Sequence, residues 1–180
     1  MKLGDEYPDL DDIDRQILEL MQENCRLPLA KIGERVGLSA PSVMERVKKL
    51  EDGGIITAYR AVLNARRLGK DITAFIGVST GHPHTIDRFE GEVDNLDDVL
   101  ECHHVTGTHT LLLKVKTRNT SSLEELISRI RSIEGVVRTE TMVVLSTHAE
   151  RTQVTVREEP RAVKRVRRSG EKTLHLKGVP

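Results

Sequence analysis

The sequence predicts an α+β chain, with a winged helix-turn-helix unit over 10–63 and a ferredoxin-like βαββαβ domain over 72–148. Three observations predict it. Apolar residues recur at helical spacing up to Leu50 and at strand spacing from Ile72. Two short amphipathic stretches meet at Gly37-Leu38-Ser39, a helix stop followed by a helix start. Beyond residue 71, strand-like and helical runs follow in the order strand, helix, strand, strand, helix, strand.

Residues 1–9 are polar and expected to be flexible. Asp11 or Asp12 is expected to cap a first helix with Ile13, Ile17, Leu20 and Met21 as its buried stripe. The acidic cluster there suits the positive end of that helix. Pro28 fits the first turn of a second helix, and Leu29, Ile32 and Val36 share its inner face. Gly37 can end it in the left-handed conformation. Gly33, mid-helix, costs about 1 kcal/mol against alanine, which a close helix–helix crossing would justify. Ser39 is a good cap for a third helix, with Val43, Val47 and Leu50 inward and Gly53 and Gly54 as its stop. Residues 55–63 are rich in apolar and β-branched types and read as a hairpin, the wing. Residues 64–71 read as a short basic linker.

In the second domain 72–80 is a strand, with Ala74, Ile76 and Val78 on one face and Phe75 and Gly77 on the other. Residues 83–95 form a weaker helix with Ile86, Phe89 and Val93 on one side. Strands follow at 99–106 and 109–117, and Gly107 marks the turn between them. Ser121-Ser122-Leu123-Glu124 reads as a capping box. It opens a helix with Leu123, Leu126, Ile127 and Ile130 inward, ended by Gly135, before a last strand over 136–147. Apolar residues on both faces of the first and third strands predict a covered sheet, most simply by a second copy of the chain.

The net charge of zero hides segregation. Residues 24–70 carry ten basic and four acidic side chains, and 151–180 carry nine and three. Residues 1–23 carry two and eight, and 71–150 seven and thirteen. A nucleic-acid binder needs such local positive patches more than a high overall pI. The polar side of the third helix is read as Ser42, Glu45, Arg46 and Lys49, types that reach base edges and phosphates from a major groove. Ser39 and Pro41 at its start join that set, and Tyr59 and Arg60 in the wing are expected to support backbone contact. The bland alternative is an ordinary amphipathic pair with a solvated face. The turn glycine, serine cap, paired glycines and strand-like run occurring together favour DNA.

Composition removes other classes. No run of ~18 or more apolar residues exists, so no membrane partner is expected. The N-terminus is acidic where a leader would be basic and apolar. Cys25 and Cys102 make no disulfide framework, and a cytoplasmic location is expected. Cys102, His103, His104 and His109, with His82 and His84, invite a metal. Their spacing lacks the tight paired repeat of structural zinc sites, so no metal or cofactor is expected. No nucleophile–base pair, phosphate loop or carboxylate pair has persuasive context, so no enzymatic activity is expected. The competing reading is a ferredoxin-like regulatory subunit or metabolic enzyme binding an amino acid; it leaves the N-terminal unit unexplained.

Four blocks carry a family likeness: LDDIDRQILELM at 10–21, VGLSAPSVMERVKKLEDGGII at 36–56, VTGTHTLLLKV at 105–115 and EGVVRTETMVVL at 134–145. In this order they make a chain that resembles the Lrp/AsnC, or feast/famine, family of bacterial and archaeal transcription regulators. The resemblance implies a C-terminal domain of RAM or ACT-like type that dimerises through its sheet, with dimers assembling into tetramers or octamers. It implies an amino-acid effector between dimers, touching the turn between the second and third strands and the last strand. Those positions are Val105, Thr106, Gly107, Thr108, His109 and Thr110, with Thr139 and Thr141. A zwitterion needs N–H and hydroxyl donors for its carboxylate and acceptors for its ammonium. Family members commonly carry Gly-x-x-Asp-Tyr at the turn. Here Gly107-Thr108-His109-Thr110-Leu111 stands instead, without the carboxylate. The function implied is a sequence-specific DNA-binding transcriptional regulator, its assembly or DNA binding modulated by a small amino acid or related metabolite.

Residues 149–180 form a basic tail with a dense run at 164–168. Three roles stay open: a solvated tail, an added phosphate contact, or docking on an acidic neighbouring domain. Within it TQVTVRE, 152–158, alternates like a strand and is expected to extend a sheet edge.

Overall fold

The structure, a computed structural model, describes residues 9–156. The flexible start expected for 1–9 and the basic run of the tail lie outside them, apart from Asp9. The chain divides into two compact units, 9–59 together with 152–156, and Arg60–Arg151.

In the first unit three helices surround one aliphatic core: α1 (Asp12–Glu23), α2 (Leu29–Val36) and α3 (Ala40–Asp52). Ile17, Leu18, Ile32, Val43, Val47 and Leu50 are buried together. Asp11 caps α1: its carboxylate accepts from the Asp14 N–H at 2.8 Å, and Asp14 answers as the second half of a capping box. Gly37 takes φ +74° and ends α2 as expected. Gly33 serves the turn and not the helix crossing expected for it. Its carbonyl accepts from the Leu38 N–H at 3.0 Å, and a Cβ there would collide with the Leu38 carbonyl oxygen.

The wing does not form. Residues 53–64 contain no strand. A run of β-forming residues needs a partner to close a ladder, and the described residues of this unit supply no strand. The N–H groups of Ile55 and Ile56 turn back instead to the Leu50 carbonyl and close the end of α3. Beyond them the Tyr59 hydroxyl donates to Glu51 Oε1 at 2.8 Å. Burial, then the Glu51 carboxylate, pushes the Tyr59 hydroxyl up to about 12.

The second unit begins before its sheet. The expected linker folds as a 3₁₀ turn, Ala65–Leu68, capped by the Asn64 side chain and closed by Gly69, while the Lys70 ammonium pairs with Asp98. Then come β1 (Ile72–Thr80), α4 (Ile86–Val93), β2 (Val99–His104), β3 (Leu111–Thr117), α5 (Thr120–Ser132) and β4 (Val136–Val143). The antiparallel sheet has the order β2-β3-β1-β4, with Ile76 opposite both Leu113 and Thr141. Ala74, Ile76, Val78, Leu111, Leu113 and Val115 form one core with Phe89, Val93, Leu123, Leu126 and Ile130. The cap of α5 lies two residues before the expected one. Asn119 accepts from the Ser122 N–H at 2.9 Å and Ser122 Oγ accepts from the Asn119 N–H at 3.0 Å. Gly135, expected to end α5, belongs to the turn into β4 at φ +89°.

The other sheet face, for which the sequence predicts cover by a second copy of the chain, is mixed in character. Strand alternation puts Phe75, Leu112 and Met142 there beside Lys114, Lys116 and Glu101. Lys114 Nζ donates to Glu101 Oε1 at 3.1 Å, and Lys116 Nζ to Glu150 Oε2 at 3.3 Å. Hydrogen bonding by Lys114 holds Glu150 below the ordinary 4.5, and bonds from His103 and Lys114 do the same for Glu101. Both carboxylates are lowered in the folded state, so their stabilisation is present above about pH 4.5 and is lost as pH falls through the lowered values. Glu150→Gln is expected to flatten the acid side of the stability profile. Melting curves taken from neutral pH downward check this; an unchanged acid limb would remove Glu150 from the network.

Candidate functional site

A helix advances 100° per residue, so the side of α3 opposite Val43, Val47 and Leu50 is set by counting. It carries Pro41, Glu45, Lys48, Lys49 and, in the last turn, Asp52, all exposed. Met44 stands beside them at 58% exposure. Ser39 Oγ lies 2.8 Å from Ser42 Oγ and accepts from the Ser42 N–H at 3.3 Å, so both serines shape the start of the helix. Pro41 supports the same first turn.

Arg46 departs from its expected role. Its guanidinium donates to Asp11 Oδ2 at 2.7 Å and to Asp14 Oδ1 at 2.8 Å, tying α3 to the start of α1. These carboxylates, Asp11 first, raise the Arg46 pKa further above the ordinary arginine value. A hydrogen bond from the Asp14 N–H, then Arg46, lowers that of Asp11. Position 46 sits on the flank between the apolar stripe and the open face, close enough to α1 to be taken by it. Lys48 is the residue that sequence reasoning misses. The same 100° count that fixes the buried stripe places it on the open side, between Met44 and Pro41.

Tyr59 is half exposed with its hydroxyl held by Glu51, and Arg60 is exposed at the start of the second unit. Without a hairpin, neither has the scaffold on which its backbone contact was expected.

The turn between β2 and β3 is stitched to the end of β1. Thr110 N–H donates to the Val78 carbonyl at 2.9 Å, and Thr110 Oγ1 accepts from the Thr80 N–H at 3.3 Å. Val105 N–H donates to the Thr110 carbonyl at 3.0 Å, closing the loop. Thr106, Gly107 and Thr108 are exposed, and Gly107 takes φ +122°, which glycine alone adopts freely. The His109 ring lies on Gly77, where any Cβ would collide with it. Its Nε2 is 3.4 Å from Glu140 Oε2, and its Nδ1 is 3.4 Å from Ser79 Oγ. Glycine inside a strand signals such a close approach.

Thr139 and Thr141 do not join that turn. They pair with Val78 and Ile76 on the far side of β1, and Thr139 Oγ1 accepts from Arg131 Nε at 2.8 Å. The eight expected effector residues therefore form two groups separated by β1. Two cavities among the described residues, about 780 and about 290 Å³, are lined by neither group. The histidine-rich strand also divides. Cys102 packs toward the core, where burial raises its thiol pKa, while His103 lies 3.2 Å from Glu101.

Two family models match the chain. One describes the AsnC-type helix-turn-helix domain and covers residues 10–51; the other describes the Lrp/AsnC ligand binding domain and covers 73–154. The HTH-type transcriptional regulator FL11 of Pyrococcus furiosus is 33% identical over 148 residues, 82% of this chain and 97% of the relative. The structure of Escherichia coli AsnC superposes with a TM-score of 0.76 at 31% identity, covering 81% of this chain and 99% of that one. The Neisseria meningitidis transcriptional regulator NMB0573, solved as an L-Met complex, superposes at 0.78 with 30% identity, covering 81% and 96%.

Proposed function

The chain belongs to the Lrp/AsnC family of transcriptional regulators, and from that premise we propose that it binds duplex DNA through α3 and answers to an amino acid. It is a regulator and not an enzyme. The observation that carries DNA binding is the exposed face Pro41, Glu45, Lys48 and Lys49 on a helix fixed at its start by a tight turn. Lysines there supply sequence-independent phosphate attraction, and Glu45 and Met44 offer a cytosine amino acceptor and an apolar contact for a thymine methyl. Two copies, joined through the mixed sheet face at Phe75, Leu112 and Met142, present two such helices to a two-fold site.

The effector reading rests on the β2–β3 turn and on the L-Met bound by the Neisseria meningitidis relative. Because β1 stands between the turn and Thr139 and Thr141 within one chain, a site completed by a second subunit is the arrangement that best brings both groups to one ligand. Ligand binding is then linked to assembly, since a ligand favours whichever state completes its site. Thermal-shift measurements with each common amino acid test this, followed by gel-shift titration of upstream DNA with any ligand found. A stabilising amino acid that also changes DNA affinity is the expected result. No shift with any amino acid would overturn the effector reading and leave the DNA reading standing.

A further inference from the structure

Polar side chains of α1 and of its cap are engaged by the fold. Residues 152–156, expected at a sheet edge, form no strand and run along that helix instead. Gln22 Oε1 accepts from the Val154 N–H at 2.7 Å, and Arg15 Nη1 donates to the Val156 carbonyl at 3.0 Å. Asp11 and Asp14 are taken by Arg46. The open side of α3 differs. Among the described residues no hydrogen bond or ion pair engages the side chains of Glu45, Lys48 or Lys49, although the lysines stand at i+3 and i+4 from the carboxylate. The 100° count puts Glu45 within about 15° of the direction opposite Val43, Val47 and Leu50, with Lys48 and Lys49 about 50° to either side. An unpaired negative charge therefore stands at the centre of the positive face. Asp52, the other carboxylate on this side, lies in the last turn, whereas base edges are met by the N-terminal part of a recognition helix.

We propose that Glu45 is the base-discriminating residue of this surface: its carboxylate selects a cytosine in the major groove at one position of each half-site. The proposal rests on the DNA reading above and deepens it to a base preference. Phosphates repel Glu45 on every duplex alike, so the residue lowers sequence-independent affinity. What offsets the repulsion is a donor on a base edge. Cytosine presents its N4 amino group, from which the carboxylate accepts. Guanine presents two acceptors, N7 and O6, and adenine sets the acceptor N7 beside its amino group. Thymine presents the acceptor O4 and a methyl. At each of these three the carboxylate faces lone pairs or goes unpaired, so Glu45 rejects as well as chooses. Arginine, the usual guanine reader, is withheld from the face because Arg46 is held at the start of α1.

The test selects bound duplexes from a pool of randomised sequence, using the full chain and its Glu45→Gln and Glu45→Ala variants. The wild-type pool is expected to converge on a site with a C·G pair at one position of each half-site. Glutamine pairs with adenine through N6 and N7, so Glu45→Gln is expected to change that pair to A·T and to leave the other positions alone. Glu45→Ala is expected to accept every base there. In both variants the ratio of affinities for the wild-type site and an unrelated duplex should fall about tenfold or more. The unrelated duplex itself should be bound about two- to fivefold more tightly, the sign of a removed repulsion. Identical selected sites for the wild type and Glu45→Gln would overturn the proposal, as would a wild-type site that shares no C·G pair. Weaker binding of the unrelated duplex by Glu45→Ala would overturn it too, since Glu45 would then serve the fold. In each of these cases a wild-type chain that selects a site keeps the DNA reading; a wild-type chain that binds no duplex removes both.

Discussion

Arg46→Ala is expected to destabilise the first unit by about 2–3 kcal/mol, before any loss of a DNA contact is felt. The cause is what it leaves behind. The Asp14 side chain is only 7% exposed, and its ion pair with Arg46 at 2.8 Å is what compensates its charge. Without the guanidinium, a carboxylate stays in the junction of α1 and α3 with only part of its hydrogen bonding. Asp11 loses the same partner but faces solvent and contributes less. Arg46→Ala and Asp14→Asn should each lower the midpoint of a denaturant melt, and the double variant should cost less than the sum of the two. If Arg46 served DNA alone, the melt would not move and only binding would fall.

Gly33→Ala is expected to be the second large loss, about 2–3 kcal/mol net. Alanine in place of a helical glycine ordinarily gains ~1 kcal/mol from backbone propensity. At Gly33 the new methyl meets the Leu38 carbonyl oxygen, a backbone atom held by the turn, which cannot move aside without opening the Gly37 cap. Gly91, in α4, is the internal control. Nothing lies within 4 Å of a Cβ there and its φ is ordinary, so Gly91→Ala should stabilise by ~0.5–1 kcal/mol. The same substitution with opposite signs at two helical positions isolates the turn as the cause. Equal effects at both sites, read from melting temperatures, would show that Gly33 is tolerated for some other reason.

What could be read from the chain was mostly local. Asp11, Gly37 and Ser39 act on backbone groups a few residues away, and each does what its chemistry dictates. The strand alternation of Ala74, Ile76 and Val78 needs only one buried face. What could not be read depends on distant partners. Arg46 on a helical wheel is a polar flank; it becomes a structural residue because the start of α1 arrives beside it. The run at 55–63 has strand propensity without a strand to pair with, so propensity alone misleads there. Asn119 and Ser121 are both capping types, and the box closes through Ser122, a residue that the usual glutamate-seeking pattern passes over. Thr139 and Thr141 stand apart from the Gly107 turn because β1 enters the sheet between β3 and β4, an order fixed by the whole topology.

Whether the open face of α3 is what meets DNA is tested most directly by reversing its charge. Lys48→Glu combined with Lys49→Glu changes two exposed side chains and no buried contact. The melting temperature should therefore stay within a degree or so of wild type, as surface substitutions usually leave stability within about 0.5 kcal/mol. Duplex affinity at low salt should drop at least ~100-fold, with the log–log salt slope reduced by about two. A folded double variant that binds duplex DNA as tightly as wild type, with the same slope, would place the nucleic-acid interface elsewhere on the molecule.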